Sequence, residues 1–305
     1  MAKARAIVKR RKAVRNIKKI TKTMQMIATA KFQKALKRAV ATKPYSLKVR
    51  ELVAELARSV EDVSHPLLRN PAETGGGSGT IALVVITSNR GLAGAYNGSV
   101  LRMANHFIRD REKEGKKIEL LVAGKKGISF FNFQKRPIGQ RLDQIGDNPQ
   151  FPVVEKTAIE LIDSFTAGKY DAVYVAFMNF ISAGQQKPEI TALLPLAGVK
   201  AAAEKAEDKS NEPAGLNVKS IYDFIPDAAT LLDELLPMTV KTALFQCFLD
   251  ATTSEHVARM IAMKSATDNA DKMVKSLTMQ YNRARQSQIT TELSEIMGGV
   301  EAMKG

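Results

Sequence analysis

The sequence predicts an α/β protein with long terminal helices, in which an antiparallel coiled coil of the N- and C-terminal helices carries a central Rossmann-like α/β domain. Two observations concern the ends of the chain. Residues 1–43 contain neither proline nor glycine, and after Pro237 neither residue type occurs before Gly298, so both ends favour long helices. The third observation is that β-branched apolar segments alternate with amphipathic ones between these two ends, as in α/β domains.

The N-terminal part is expected to form two helices. The first covers about residues 3–42 and ends or kinks at Pro44, because proline cannot continue the hydrogen-bonding pattern. A second amphipathic helix covers residues 46–63. Residues at spacings of three and four predict the apolar seam of the first helix: Val14, Ile17, Ile20, Met24, Ile27, Lys31 (through its alkyl stem) and Ala35.

The C-terminal part is expected to form one long helix. Roughly 60 residues at about 1.5 Å each give a length near 90 Å. Its seam is marked by apolar or small residues: Val257, Ile261, Ala266, Ala270, Met273, Leu277, Tyr281 and Ala284. A single helix cannot bury such a stripe by itself, which favours pairing with the N-terminal helix. The alternative is two ordinary helices of an all-α domain.

The middle of the chain predicts a parallel sheet of about four to six strands. The glycine-rich residues 75–79 form a break before it. The predicted strands are residues 80–87, 118–122, 171–178 and 189–194, and the predicted helices are 95–114, 126–133 and 153–167. Residues 201–215 are polar and predict a mobile loop, and residues 220–226 a short return to the sheet or a turn. The predicted domains are residues 1–70, 71–228 and 229–305.

Charge and composition narrow the possible functions. The net charge is +15, and the first 50 residues hold 17 Lys and Arg but no Asp or Glu. Such an arm indicates nucleic acid, an anionic surface or an acidic protein partner. The sequence shows no membrane span and no secretory signal. Cys247 is the only cysteine, and the three histidines His65, His106 and His256 lie too far apart in sequence for metal-ligand spacing. No cofactor or metal is predicted.

Residues 87–97 (TSNRGLAGAYN) lie between a predicted strand and a predicted helix, where phosphates bind in α/β folds. Arg90 would suit an anion there. The alternative is a structural turn, since the loop has neither GxGxxG nor the closing Lys-Ser or Lys-Thr of a P-loop. No nucleophile elbow, kinase motif or paired acidic motif is present. Two other classes remain open, a basic coiled-coil nucleic-acid-binding protein and an α/β enzyme with helical arms.

Residues 289–299 (ITTELSEIMGG) carry the most specific pattern. Physically they predict a helix end with two carboxylates and a glycine stop at Gly298, as an ordinary helix C-cap also would. They resemble the signature of the gamma subunit of F-type ATP synthases, Ile-Thr-x-Glu-x-x-Glu followed by Gly-Ala, with Val300 where the family usually has alanine. The resemblance covers essentially the whole chain. The other similar segments are residues 17–26 (IKKITKTMQM), 87–97, 254–260 (SEHVARM), 266–270 (ATDNA) and 281–286 (YNRARQ).

The resemblance implies a non-catalytic rotor without cofactors. The coiled coil would enter a ring of alternating alpha and beta subunits, and the Rossmann-like domain would be a foot on the membrane c ring, together with the epsilon subunit. By residue, Arg285 and Gln286 match positions that hydrogen-bond a beta-subunit loop. Thr290, Glu292 and Met24 match further contacts with the beta subunit.

The foot and the location follow from the same resemblance. Tyr222 and Phe224 match a segment that contacts the c ring and epsilon, although Ile225 replaces an acidic residue there. The N-terminus begins at the family motif, which leaves no room for a transit peptide. The chain is therefore expected at the cytoplasmic face of a bacterial inner membrane, where only its partners would hold it. Nucleic acid is not an expected partner. The cysteine-bearing insertion of chloroplast gamma subunits is absent, so thiol regulation is not expected.

Overall fold

The computed structural model describes residues 2–59, 65–68, 78–196 and 228–303. The predicted mobile loop 201–215, the segment 220–226 and the candidate contacts Tyr222 and Phe224 lie outside these residues. The described chain forms two compact units. One consists of Met1–Ala30 with Arg259–Gly305, and the other of Lys31–Ala258. The first and last helices contribute a segment to each unit.

The elements follow in chain order. They are α1 (Ala2–Ser59), a 3-10 turn (Pro66–Leu68), β1 (Thr80–Ile86), α2 (Tyr96–Lys113), β2 (Lys117–Ala123), α3 (Lys125–Phe133), β3 (Gln140–Arg141), α4 (Phe151–Thr166), β4 (Ala172–Ser182), β5 (Gln185–Leu194) and α5 (Ala228–Ala302). The predicted combination of long terminal helices and a central α/β sheet is confirmed.

Three helix boundaries differ from the prediction. Helix α1 continues through Pro44 instead of ending there, because the packing of Val49, Val53 and Leu56 into the α/β core holds the following turns in place. The predicted separate helix 46–63 is therefore the end of α1. Helix α5 includes Pro237, as the predicted C-terminal helix 229–305 does, but it runs past Gly298 to Ala302, so the predicted glycine stop is wrong.

The five-stranded sheet has the order β3-β2-β1-β4-β5. Strands β2, β1 and β4 are parallel, and β3 joins β2 as a short parallel edge strand. Strand β5 pairs with β4 in an antiparallel hairpin, so the sheet is mixed rather than wholly parallel. The two-residue β3 was not predicted, since two polar residues carry no strand periodicity.

The core of the α/β unit lies on both faces of β1. Val84 packs on one face with α4, α5 and the end of α1, whereas Leu83 packs on the other with α2 and α3. Alternate residues of a strand point to opposite faces. A strand that is buried on both faces therefore reads as continuously apolar, as residues 80–86 do.

Candidate partner-binding surfaces

The unit formed by Met1–Ala30 and Arg259–Gly305 is an antiparallel helix pair. Thr267 Oγ1 donates a hydrogen bond to Thr21 Oγ1 at 2.8 Å, and Lys18 Nζ lies 2.7 Å from Asp271 Oδ1. The residue numbers thus fall along α1 as they rise along α5. The predicted antiparallel coiled coil is confirmed within this unit.

The seam of this pair follows two heptad patterns, with buried and half-buried residues at alternating spacings of three and four. On α1 these residues are Ile7, Arg11, Val14, Lys18, Thr21, Gln25 and Ala28. On α5 they are Met263, Thr267, Ala270, Val274, Leu277, Tyr281 and Ala284. Four of the seven positions on α1 are polar or charged. The Arg11 guanidinium, for example, lies 5.0 Å from the centre of the Tyr281 ring, a cation–π distance.

The predicted seam was wrong at its most apolar positions. Ile17, Ile20 and Ile27 are 52%, 60% and 53% exposed, and on α5 Ile261 and Met273 are also exposed. Apolarity at helical spacing shows that a face is buried somewhere, but not against which partner. The intrachain seam mixes apolar side chains such as Val14 and Leu277 with small and polar ones, and Ile17, Ile20 and Ile27 point away from it.

A first exposed apolar surface therefore lies on α1. Its members are Ile17, Ile20, Met24 and Ile27, at spacings of three, four and three, which place them on one helix face. We call this surface the first-helix stripe. Met24 is half-buried, while the isoleucines are exposed. This stripe lies within the first 50 residues of the chain, which contain no Asp or Glu.

A second exposed apolar surface lies near the end of α5. Ile289, Leu293, Ile296 and Val300 follow one another at spacings of four, three and four, and each is at least 44% exposed. We call this surface the terminal stripe. Contiguous apolar residues exposed on a helix indicate a site of protein association. Every described residue after Gln288 is exposed, so no described part of the chain covers the stripe.

The candidate residues on α5 flank the terminal stripe. Arg285 and Gln286 precede Ile289 by four and three residues, and such residues are neighbours on a helix surface. Thr290 and Glu292 stand in the same relation to the next apolar residues of the stripe. All four are exposed, so polar groups border an apolar centre, as at protein interfaces.

Two of these four residues already have hydrogen bonds within α5. Thr290 Oγ1 donates to the backbone oxygen of Gln286 at 3.0 Å, and Gln288 Nε2 donates to Glu292 Oε1 at 2.7 Å. Met24 belongs to the first-helix stripe instead. Sequence reasoning missed the stripes themselves, although the 3-4 spacing after Gln288 was a visible signal for the second.

The loop after β1 is a structural turn. Thr87 Oγ1 donates to the backbone oxygen of Ala123 at 2.8 Å and accepts from the backbone N–H of Gly127 at 2.9 Å. A Cβ atom at position 124 would lie 2.1 Å from the backbone oxygen of Thr87, which explains why this residue is a glycine. The backbone N–H of Ser88 donates to Asn97 Oδ1 at 3.0 Å, tying the loop to α2.

The space where a nucleotide would bind is filled by α5. At the carboxyl end of β1, Phe248, Thr252 and Glu255 of α5 line a cavity of about 20 Å³. That volume holds about one water molecule. Arg90, the predicted anion contact, instead lies 3.7 Å from the carboxylate of Asp147. Of the two interpretations of residues 87–97, the geometry therefore favours the structural turn.

The three histidines differ in their surroundings. His65 Nδ1 accepts a hydrogen bond from the backbone N–H of Leu67 at 3.1 Å, and burial lowers the pKa of His65. His106 is exposed and His256 is buried. Over the described ranges, no group of three or more His, Cys, Asp or Glu residues is arranged to hold a metal ion. None of the described helices contains the long apolar run that a bilayer crossing needs.

Comparison with known proteins decides the family. A family model described as ATP synthase matches residues 3–303. The ATP synthase gamma chain of Rhodopirellula baltica is 43% identical over 305 residues and covers 100% of both chains. The chain belongs to the ATP synthase gamma chain family. Members of this family are subunits of the rotary ATP synthase, which removes the nucleic-acid-binding alternative.

Other gamma chains match at similar length. That of Leptospira biflexa serovar Patoc is 39% identical over 303 residues, covering 99% of this chain and 100% of the relative. Among solved structures, a chain of the Euglena gracilis mitochondrial ATP synthase (OSCP/F1/c-ring, rotational state 3) has a TM-score of 0.64 and 19% identity, covering 99% of this chain and 95% of that one. At that identity the likeness shows a shared fold.

Proposed function

We propose that this gamma chain is the non-catalytic central shaft of an F-type ATP synthase. It would couple proton or sodium flow through the membrane c ring to conformational cycling of the catalytic beta subunits. Membership of the gamma family supports the role. The observation that carries the mechanism is a coiled coil that exposes Ile17, Ile20 and Ile27 on α1 while polar side chains occupy part of its seam.

Each stripe occupies only one face of its helix, so the surface of the proposed shaft is asymmetric. A rotor favours one beta-subunit conformation only as far as it binds that conformation better than the others. An apolar stripe on one side of a helix meets such a requirement, because each orientation presents a different face to a given subunit. The basic face of α1 would meet acidic segments of the surrounding subunits.

The residue roles follow from the positions around the terminal stripe. Arg285 and Gln286 would hydrogen-bond a beta-subunit loop, since a guanidinium pairs with a carboxylate through two parallel bonds. Thr290 and Glu292 would add polar contacts beside them. Met24 would contact a beta subunit from the first-helix stripe, where its flexible thioether adapts to a changing surface.

The α/β part would be the foot of the rotor, with residues 71–228 as its domain and 1–70 and 229–305 as the helical parts. Its partners would be the c ring and the epsilon subunit, with Tyr222 and Phe224 as contacts. One similar fold is titled the central stalk and c-ring of the Tetrahymena thermophila mitochondrial ATP synthase, with a TM-score of 0.54 and 21% identity over 81% of this chain and 99% of that one.

The proposed location is the cytoplasmic face of a bacterial inner membrane, where partners alone would hold the chain. The bacterial relatives support this location. They include the gamma chains of Rhodopirellula baltica and Leptospira biflexa.

Co-expression with the alpha and beta subunits of the same cell tests the proposal. The chain should copurify with them in a complex that hydrolyses ATP, whereas the purified chain alone should hydrolyse none. Replacing Ile20 and Ile296 together by serine should weaken copurification. The matched control, Ile159→Ser, removes an isoleucine that is 40% exposed on α4 and should leave copurification unchanged.

Failure to copurify would contradict the shaft role. Hydrolysis by the chain alone would contradict its non-catalytic status. Salt-dependent copurification with nucleic acid in place of the two subunits would instead support the nucleic-acid class.

A further inference from the structure

An open pocket of about 210 Å³ lies within the α/β unit, between α1, the loop before α4 and α5. Lys31, Lys34 and Arg38 form its α1 wall. Their spacings of three and four place them on one face of the helix. Its floor and sides include Ala35, Pro149, Leu249, Thr252 and His256. Cationic groups thus form one wall of the pocket, beside a partly apolar base.

The walls of this pocket are held in place by named contacts. The Arg38 guanidinium donates to Asn148 Oδ1 and, at 2.7 Å, to the backbone oxygen of Pro149. These bonds fix the loop against α1. Leu249 and His256 are 2% and 4% exposed, so the α5 side is part of the packed interior. The pocket is therefore formed before any ligand arrives.

The charge balance of the pocket favours an anion. Asp147 is the one carboxylate among the residues that line it. Its Oδ1 accepts from Asn89 Nδ2 at 3.1 Å, and its Oδ2 lies 3.7 Å from Arg90 Nε. By contrast, Lys31 and Lys34 have no ion-pair partner in the part of the chain that the structure describes. Two ammonium groups at the mouth of a partly apolar cavity remain to be neutralised.

We propose that this pocket binds a small organic phosphate. The lysines would meet the dianionic phosphate as point charges, and the apolar base of Ala35, Pro149 and Leu249 would take a compact organic group. The volume lies below that of typical drug-sized pockets, which limits the ligand to a small ester. The site does not depend on the shaft role, because none of its residues belongs to either stripe.

Binding of phenyl phosphate to the full chain, measured by isothermal titration calorimetry, tests the proposal. Phenyl phosphate should bind more tightly than inorganic phosphate, which lacks the apolar group, and more tightly than benzoate, which carries one charge. Lys31→Gln with Lys34→Gln should weaken binding by about tenfold, since it removes two exposed charges that line the pocket. The matched control, Lys19→Gln with Lys22→Gln, removes two exposed lysines of α1 outside the pocket and should leave affinity unchanged.

A second variant keeps the charges and removes the space. Ala35→Leu extends a side chain into the pocket on a helix that tolerates leucine well, and it should abolish phenyl phosphate binding. Equal losses in the two lysine pairs would show general attraction to a basic helix and overturn the proposal. Absence of binding by the parent chain, or unchanged binding by Ala35→Leu, would overturn it as well.

Discussion

The two units of this chain place their most apolar residues in opposite ways. In the α/β unit, Leu83 and Val84 are completely buried. In the coiled-coil unit, Ile20 and Ile296 are 60% and 64% exposed, while Thr21 and Lys18 occupy the seam. The first unit buries its large apolar clusters within itself, whereas the second buries a small cluster around Val14 and Leu277 and leaves most of its isoleucines exposed.

The difference has an energetic meaning. Burial of a large apolar side chain contributes roughly 1.5 to 3 kcal/mol. The isoleucines of the two stripes do not contribute that amount within the chain, and would do so only when a partner covers them. A shaft that must exchange contacts during each turn needs this arrangement, because its apolar surface has to remain available.

The largest expected effect comes from shortening a buried apolar side chain in one unit and an exposed one in the other. Leu83→Ala should destabilise the α/β unit by about 3 to 5 kcal/mol, because a buried leucine leaves a cavity. Ile20→Ala should change the stability of the isolated chain by no more than about 0.5 kcal/mol, as is usual for surface positions. Native-state hydrogen exchange of the β1 amides and of the α1 amides measures the two effects.

A loss above about 2 kcal/mol for Ile20→Ala in the isolated chain would break the comparison, since such losses are typical of buried positions. The isoleucine would then belong to a packed interior. An effect below about 1 kcal/mol for Leu83→Ala would equally contradict the account of β1.

The second prediction concerns Asp250, a buried acid in the α/β unit. Burial raises the pKa of Asp250 from 3.8 to about 6, against the hydrogen bond from Gln246 and the charge of Lys43. The folded state holds the Asp250 proton more tightly than the unfolded chain does. Protonation of Asp250 therefore makes its full contribution to the free energy of unfolding below about pH 4. It is lost as the pH rises through 6, at a cost of at most about 3 kcal/mol.

Asp250→Asn should therefore stabilise the chain at pH 8 but not at pH 4, as measured by thermal unfolding. The matched control is Asp163→Asn, which removes an exposed carboxylate from α4 and should give no such gain. An equal gain for Asp250→Asn at both pH values would show that the charge of Asp250 is not the cause.

The α/β unit was predictable because its signals are local. Residues 80–86 predict a strand that is buried on both faces, and the helices after β1 and β2 follow from periodicity. The bounds at Pro44 and Gly298 were not predictable, because the local preference of proline is overridden by the packing of Val53 and Leu56. At Gly298 no described atom lies within 4 Å of an added Cβ, so this glycine marks neither a turn nor a close approach.

The members of the candidate site come from the family resemblance, whereas their setting comes from the structure. The family resemblance named Arg285 and Gln286, and the structure places them beside the terminal stripe. On α1 the predicted seam was wrong at Ile17, Ile20 and Ile27, because their pattern is the more apolar one. On α5, Ala270 and Leu277 were assigned to the seam correctly. Sequence periodicity cannot tell a face buried inside the chain from one buried by a partner.

The third prediction has the smallest expected effect and concerns turnover by the assembled complex. Replacing Arg285 and Gln286 together by alanine should slow ATP hydrolysis by about tenfold, since a charge-assisted contact is worth roughly 1.5 to 3 kcal/mol. Assembly should survive, because the apolar stripe remains. Arg285→Lys should give an intermediate rate, as it keeps the charge but not the planar fork. A double variant that turned over at the parent rate would show that these residues do not act in coupling.

The central claim is that partners cover the two stripes, and thiol labelling tests it most directly. Single cysteines would replace Ile20 or Ile296 in a Cys247→Ala background, with Ala270→Cys, a seam position that is 4% exposed, as the control. The account predicts fast labelling of both stripe positions in the isolated chain and slow labelling once alpha and beta subunits are bound, while position 270 is slow in both. Equally fast labelling of both stripes in the free and assembled states would contradict it.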